Sequence, residues 1–130
     1  MSLVEVLVSS VLLASSSSAA LAVWSQAGVA VQRSSQLEER ANQLERQRLA
    51  THRWLASLDD GLALLDPAAD CAFAAGAVAA AADQALPLPD GAERRWVVAA
   101  EGAGLWLELE HGTARRRQLF SAAAYGMCQP

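Results

Sequence analysis

An uncharged stretch of 27 residues, 6–32, constrains this chain more than any other part of its sequence. It consists mainly of Val, Leu, Ala and Ser, and a helix of about 20 such residues already crosses the hydrocarbon of a bilayer. The first basic residue, Arg33, follows the stretch, whereas a cleaved signal peptide begins with positive charge. The stretch therefore predicts a membrane helix that the mature chain retains.

A single carboxylate, Glu5, directly precedes the uncharged stretch. An ionised carboxylate in hydrocarbon is costly unless it is paired, so such residues are candidate functional groups. No basic side chain is near in sequence, and the remaining cations are the amino terminus of this chain or that of a neighbouring copy. Alternatively, Glu5 lies at the headgroup level of an ordinary anchor, with the first helical turn in water.

The first eight residues, Met-Ser-Leu-Val-Glu-Val-Leu-Val, resemble the start of a mature type IV pilin or pseudopilin. In that family a prepilin peptidase cleaves after a glycine and methylates the new first residue, and glutamate occupies the fifth position. The resemblance is specific over residues 1–30 and extends as far as residue 55. It implies that Met1 is the processed and methylated residue, and that Glu5 neutralises the methylated amine of an adjacent subunit.

The same resemblance implies the partners and the location of the chain. The partners are many identical subunits, the prepilin peptidase, the pilus assembly machinery and, before assembly, the bacterial inner membrane. After assembly the chain belongs to an extracellular filament. In that family, part of the N-terminal helix loses helical order when the subunits pack in a filament. Here we expect any melted stretch at residues 13–22, because four serines weaken the helix there.

After the uncharged stretch, apolar residues recur at spacings of three, four and seven, which predicts a helix. They are Leu37, Ala41, Leu44, Thr51, Leu55, Leu58 and Leu62. No proline precedes Pro67, so one helix of nearly 60 residues is predicted, about 90 Å long at 1.5 Å per residue. A coiled coil is the alternative, but Arg48 occupies one seam position and the stripe is short. We therefore expect the stripe to pack under a C-terminal domain, with Trp54 in the core.

The C-terminal region predicts a short helix followed by a sheet. An alanine-rich connector precedes three alternating segments. The predicted helix is 72–85, the strands are 95–100, 105–110 and 115–120, and the turns are 101–104 and 111–112. Alternation places Leu105, Leu107 and Leu109 on one face, against the long helix, while Glu108 and Glu110 face the arginines of the next strand.

The predicted fold class is α+β: a long N-terminal α-helix packed against a small antiparallel β-sheet of about three strands, a pilin-like lollipop. Three regions follow from this prediction. Residues 1–32 form the transmembrane or filament-core helix, 33–65 its amphipathic continuation, and 66–130 the globular region.

The two cysteines, Cys71 and Cys128, predict a single disulfide if the chain is exported. In the chain-entropy model, closing so long a loop contributes about 3 to 4 kcal/mol. In the cytosol the same pair would be two buried thiols. Pilins commonly have a C-terminal disulfide loop, but here the loop would enclose the whole sheet.

Composition and motifs favour no catalytic, metal-binding or cofactor-binding function. All ten basic residues are arginine and the formal charge is -4, which disfavours general nucleic-acid binding; the arginines 115–117 fit a solvated strand face. His52 and His111 are expected on a helix surface and in a turn, without metal-ligand spacing. The aspartates of the connector fit capping better than a calcium loop. No enzyme, metal or cofactor is predicted.

The sequence thus predicts a structural subunit of a type IV pilus-like filament, assembled through its N-terminal helices with Glu5 setting the axial register. The alternatives are a membrane-anchored periplasmic binding or adaptor module and a type II secretion pseudopilin. Whether the filament would be used for motility, adhesion, DNA uptake or secretion is left open by these residues.

Overall fold

A computed structural model describes residues 2–100, 102 and 104–128. A long helix α1 (Leu3–Ala56) is followed by a short helix α2 (Ala75–Ala85) and three strands. The strands are β1 (Ala92–Val98), β2 (Leu105–His111) and β3 (Ala114–Phe120), and the 3-10 turns are Gly61–Leu64 and Ala123–Tyr125. The predicted α+β architecture is confirmed, with the long N-terminal helix packed against a three-stranded antiparallel sheet.

The chain divides into two compact units, residues 1–36 and 37–130, and the division falls within α1. The first unit contains only the N-terminal part of that helix. The second unit joins the C-terminal part of the helix, 37–56, to α2 and the sheet. The sequence had instead predicted residues 33–65, which contain this helical part, as a region separate from the globular residues 66–130.

The helix α1 ends at Ala56, so its predicted continuation to residue 65 is too long. The Ser57 hydroxyl donates to the Trp54 carbonyl at 2.9 Å, and the Asp60 carboxylate accepts from the Leu62 N–H at 3.2 Å and starts a 3-10 turn. Serine and aspartate offer the backbone hydrogen bonds that compete with the helix. These local hydrogen bonds therefore end the helix at Ala56, although the apolar spacing by itself predicts a longer helix.

The core of the second unit lies between the helical stripe and one face of the sheet. Of the predicted stripe, Leu44, Thr51 and Leu55 are buried, whereas Leu37 and Leu62 are exposed. Trp54, which was predicted in the core, is only partly buried and packs against the margin of the core. The buried apolar cluster consists of Leu44, Leu55, Leu64, Phe73, Val78, Leu105, Leu107, Leu109, Phe120 and Ala122. A core of this size depends on each large side chain in it.

Two leucines of the same stripe should therefore differ in their contribution to stability. Leu55 is 1% exposed and Leu62 is 62% exposed. We expect Leu55→Ala to lower the free energy of unfolding by about 2 to 5 kcal/mol, because it leaves a cavity in the core. Leu62→Ala should change it by about 0.5 kcal/mol or less. Urea unfolding of both variants followed by tryptophan fluorescence measures the difference, and equal effects would contradict the assigned burial.

The sheet has the order β1-β2-β3, and both pairs are antiparallel. Leu105, Leu107 and Leu109 are each 1% exposed and face the helix, as the alternation predicted. Opposite them, Glu108 is paired with Arg117 and Glu110 with Arg115 in the strand register. The structure thereby gives the register of these two strands, which the predicted strand bounds did not specify.

The turn between β2 and β3 is shifted from its predicted place. His111 is paired with Ala114 and is the last residue of β2, so the loop consists of Gly112 and Thr113. Gly112 has φ +61, which a two-residue hairpin loop requires and glycine adopts without strain. His111 is therefore a half-buried strand residue rather than a turn residue. In the connector between β1 and β2, Glu101 and Ala103 of the predicted turn lie outside the described residues.

An arginine on β1 caps the short helix α2. The Nη2 atom of Arg94 donates to the carbonyls of Leu86 at 2.8 Å and Ala82 at 3.2 Å, and to the Asp83 carboxylate at 2.9 Å. Its side chain is only 2% exposed. The Ala82 carbonyl also accepts the N–H of Leu86 at 2.8 Å, whereas the Leu86 carbonyl lies beyond the last residue of the helix and accepts from Arg94. A cation at this end of a helix also interacts favourably with the helix dipole. The sequence did not predict this contact. The predicted β1 began at residue 95, after Arg94, and the predicted α2 began at residue 72, so neither boundary indicated an arginine that faces inward.

Candidate functional site

The first unit presents an apolar surface that nothing in the unit covers. Every described residue from 2 to 36 is exposed, including Leu3 at 80% and Trp24 at 77%. By length and composition, α1 is long and apolar enough to cross a membrane. An apolar surface of this extent requires lipid or protein around it. The first unit is therefore the main candidate for an interaction site.

Six serine hydroxyls of this helix, those of residues 9, 10 and 15–18, are hydrogen-bonded to carbonyls of the helix itself. Ser9 donates to the Glu5 carbonyl at 2.7 Å, and the residues from Ser15 to Ser18 each donate to a carbonyl three or four positions earlier, at 2.8 to 3.1 Å. A donor that already has a partner costs less in an apolar environment. The serines are thus compatible with lipid or with a packed protein core.

Four consecutive serines, 15–18, occupy a complete helical turn, so hydroxyls surround the helix at this level. The helix is continuous there in the isolated chain. The predicted melting of residues 13–22 concerns the assembled filament and stays a prediction. A density map of assembled filaments tests it, because continuous helical density through these residues would contradict it.

Glu5 lies in the first turn of α1 and is exposed. Its N–H donates to the carbonyl of Ser2 at 3.0 Å and lies 3.4 Å from the Ser2 hydroxyl oxygen. Among the residues that the structure describes, the Glu5 carboxylate has no ion-pair partner. Met1, for which processing and assembly roles were predicted, lies outside the described residues.

Ser2 and Glu5 have the spacing of a capping box, in which a serine caps a helix and a glutamate follows three residues later. A carboxylate in the first turn also interacts favourably with the helix dipole. The sequence analysis missed this local role, although the Ser-x-x-Glu spacing shows it. Glu5 thus has a physical role in its own helix that is separate from the predicted pairing with a cation.

The C-terminal tail is fastened to the second unit by three contacts. A disulfide joins Cys71 and Cys128, as predicted, with Cα atoms 5.4 Å apart. The Tyr125 hydroxyl is hydrogen-bonded to Nδ1 of His52 at 2.6 Å, and burial raises the pKa of Tyr125. The Met127 side chain packs so closely on Gly61 that a Cβ there would clash. His52 is an exposed helical residue, as expected, but its contact with the tail was not predicted.

The outer face of the sheet carries cross-strand ion pairs, and a row of apolar side chains lies beside them. Arg117 pairs with Glu108 at 3.1 Å and covers the Trp106 ring, with its guanidinium carbon 4.1 Å from the ring centroid. Arg115 pairs with Glu110 at 3.5 Å. These pairs confirm the predicted cross-strand contacts, and the arginines are exposed as a solvated strand face should be. In the strand register, Val97, Trp106 and Leu119 form the neighbouring row.

Comparisons with protein-family models, with curated proteins and with solved structures found no match to this chain. Its function is therefore inferred from its own residues.

Several polar groups have purely local partners. Asp60 and Asp66 each accept a backbone N–H two residues ahead, at 3.2 and 2.9 Å, as expected of turn residues. Within residues 2–100, 102 and 104–128, no three His, Cys, Asp or Glu side chains are grouped in a way that could hold a metal ion.

The ion pair between Glu45 and Arg48 on α1 is also hydrogen-bonded to the sheet. Nε of Arg48 donates to Glu45 at 2.9 Å, and another of its nitrogens donates to Gln118 on β3. The hydrogen bond from Arg48 lowers the pKa of the Glu45 carboxyl below its ordinary value of 4.5. Because the pKa is lower in the folded state, the pair stabilises the fold above the unfolded-state pKa. That contribution disappears as the pH falls through the folded-state pKa.

We expect Arg48→Gln to raise the pKa of Glu45 toward its ordinary value, because the charged donor is removed. The carboxyl carbon resonance of Glu45, followed by NMR between acidic and neutral pH, measures the change. Arg46→Gln is the matched control, since Arg46 is an exposed neighbour without an ion pair among the described residues. An unchanged pKa in the Arg48 variant would contradict the assigned contact.

Proposed function

We propose that this chain is a structural subunit of a type IV pilus-like filament. In this proposal the first unit is held in the bacterial inner membrane before assembly and packs against the same segment of other copies afterwards. The second unit is exported and lies at the filament surface. The prepilin peptidase and the pilus assembly machinery are the proposed partners of the chain.

One observation carries the proposal: the N-terminal unit is an apolar helix, exposed over all its described residues, with one carboxylate in its first turn. Lipid alone accounts for the apolar surface. It does not account for Glu5, because a charge beside hydrocarbon is costly unless a cation accompanies it. The methylated amine of a neighbouring subunit supplies that cation in the filament.

The disulfide supports the proposed location of the second unit. Disulfides persist in oxidising compartments and are rare in the cytosol. The Cys71–Cys128 pair lies in the second unit, which therefore fits the periplasmic or extracellular side. The first unit, with no described side chain buried, fits the membrane.

A membrane-anchored adaptor that does not polymerise is the second candidate. The apolar row of Val97, Trp106 and Leu119 on the outer face of the sheet favours it, since aromatic residues beside arginine are common in protein interfaces. An adaptor needs few copies for each partner, whereas a filament needs many. Stoichiometry therefore separates the two functions.

Electron microscopy of fibres sheared from cells that express the chain tests the proposal, together with mass spectrometry of the subunit. We expect thin filaments composed of this chain and an N-methylated first residue at Met1. Chain confined to the membrane fraction, without fibres, would support the adaptor. An unmethylated initiator methionine would contradict the processing step.

A further inference from the structure

Strand β3 forms an open edge of the sheet. The strand order β1-β2-β3 gives it one neighbour, and no other strand of the described residues pairs with it. Its three arginines, 115–117, are all exposed. At the opposite edge, β1 is joined to α2 through the side chain of Arg94. Because an open edge presents unpaired backbone N–H and C=O groups, β3 is the edge to which a further strand can be added.

The hydrogen-bond pattern of the sheet fixes which backbone groups of β3 are free. Ala99 donates to the Gly104 carbonyl at 2.9 Å, in line with the β1-β2 pairs, so the odd-numbered residues of β1 are the ones hydrogen-bonded to β2. Because the two sides of an antiparallel strand alternate, the odd-numbered residues of β2 bond to the even-numbered residues of β3. The N–H and C=O groups of Arg115, Arg117 and Leu119 therefore point away from β2, at the open edge.

The side chain of Arg116 reaches this edge. Its Nη1 atom donates at 3.0 Å to the carbonyl of Arg115, which is one of the edge-facing groups. Among the ion pairs of the described residues, none involves Arg116, whereas Arg115 and Arg117 each pair with a glutamate of β2. The side chains of Arg115 and Arg117 are still 75% and 55% exposed, and a guanidinium has five N–H donors. The edge thus combines free backbone groups with arginines that can bind further carboxylates.

A second copy of this chain does not complement the edge. Its β3 brings three arginines and no acid, and its β1 brings two arginines and one glutamate, whichever way the strand runs. Like charges on neighbouring strands are destabilising, and charged edge strands commonly prevent such pairing. The complementary strand is one with carboxylates at consecutive positions, because Arg115 and Arg117 lie on one face of β3 and Arg116 on the other.

We propose that β3 is the docking edge for an extended acidic segment of another protein, which adds to the sheet as a fourth strand. Backbone hydrogen bonds to Arg115, Arg117 and Leu119 hold the segment, and its consecutive carboxylates bind the three arginines. On docking, the Arg116 guanidinium exchanges the Arg115 carbonyl for a carboxylate. This docking does not require the chain to polymerise, so it goes beyond the proposed function.

A synthetic peptide provides the first test. The probe is Thr-Val-Glu-Glu-Glu-Val-Thr with blocked ends, which reads the same in both directions and can therefore dock parallel or antiparallel to β3. We expect it to bind the oxidised, detergent-solubilised chain saturably, and the matched peptide with three glutamines to bind about tenfold more weakly or less. Fluorescence anisotropy of the labelled peptides measures both. Absence of saturable binding up to millimolar glutamate peptide overturns the proposal, as does equal binding of the two peptides.

Amide hydrogen exchange followed by NMR tests the backbone pairing. With the peptide bound, we expect exchange of the Arg115 and Arg117 amides to slow by about tenfold or more, because they gain hydrogen-bond acceptors. The amides of Arg116 and Gln118 are the internal control and should be protected already without the peptide, since they are bonded to β2. Peptide binding without new protection at Arg115 and Arg117 means that the arginines only attract a polyanion, which overturns strand addition.

Charge reversal at the edge tests the arginines. Arg116→Glu should weaken binding of the glutamate peptide by about tenfold or more. Arg46→Glu is the matched control, since it makes the same change in net charge at an exposed arginine of α1, and it should change the dissociation constant by about twofold or less. Equal binding by the Arg116 variant and the wild type overturns the proposal. An oligodeoxythymidylate that binds the wild type as tightly as the peptide assigns the edge to nucleic acid and also overturns it.

A proline at the edge separates backbone pairing from charge. Leu119→Pro removes an edge-facing N–H and keeps every arginine, and proline is tolerated on an edge strand where the N–H has no partner. We expect it to weaken peptide binding, whereas Leu119→Ala, which removes the same side chain and keeps the N–H, should bind nearly as well as the wild type. Circular dichroism and the intact disulfide verify that each variant is folded. If the proline variant does not fold, the exchange of the wild-type amides decides the question.

Discussion

We expect Glu5→Ala to leave the chain in the membrane fraction and to stop filament assembly. Insertion depends on the uncharged residues 6–32, which the substitution does not touch. In the proposed assembly, Glu5 neutralises an amine that packing removes from water. Removing one partner of such a pair costs about 3 to 5 kcal/mol for each subunit, because an uncompensated charge is left buried. The measurement is filament yield after shearing, compared with the amount of chain in the membrane.

Two further variants separate the charge of Glu5 from its place in the helix cap. Glu5→Gln retains the Ser-x-x-Gln form of the capping box and removes the charge, so it should fail to assemble like the alanine variant. Ser2→Ala removes the capping hydroxyl and keeps the charge, at a cost of about 0.5 to 2 kcal/mol in helix stability, and should still assemble. Normal filaments from both Glu5 variants would disprove the pairing. Assembly of Glu5→Gln together with failure of Glu5→Ala and Ser2→Ala would show that Glu5 acts through the cap.

Breaking the disulfide is expected to produce a large loss of stability in the second unit. Cys71 and Cys128 are 57 positions apart, and the bridge holds the tail that contributes Tyr125 and Met127 to the margin of the core. Cys128→Ser should lower the free energy of unfolding by about 3 to 4 kcal/mol, because the unfolded chain regains the freedom of a long loop. Urea unfolding of the detergent-solubilised chain measures the loss.

Reduction of the wild-type protein and the substitution Cys71→Ser should give the same loss, because all three remove the same bridge. Tyr125→Phe is the matched control. It removes the hydroxyl bonded to His52 and retains the ring stacked on Phe120, so it should cost about 1 kcal/mol. A reduced protein as stable as the oxidised one would show that the tail is held by its side-chain contacts alone.

The sheet illustrates which features local sequence can predict. Strict alternation along β2 was sufficient to assign Leu105, Leu107 and Leu109 to the buried face, because successive side chains of a strand point to opposite sides. The register was not predictable in the same way. It depends on the loop at Gly112 and Thr113, and the position of a two-residue loop follows from how both strands pack on the helix.

The long helix shows what local sequence cannot predict. Its apolar spacing correctly predicted Leu44, Thr51 and Leu55 as buried, but it also included Leu37 and Leu62, which are exposed. Spacing indicates which side of a helix is apolar and does not indicate how far along the helix a neighbour covers it. The same holds for the candidate site. Glu5 is conspicuous in sequence because it is the one charged side chain before a long uncharged stretch, whereas the exposed side of α1 in the second unit is defined only by what the sheet leaves uncovered.

The sequence by itself determined the long apolar helix, the isolated carboxylate at Glu5, the alternation of the strands and the even pair of cysteines, because each is a property of neighbouring residues or of composition. Only the tertiary structure decided how Arg94 caps α2, which register places Glu108 beside Arg117, and which charges of α1 remain free. These features depend on contacts between segments far apart in the chain. Local pattern carries no information about which of many similar surfaces such contacts will cover.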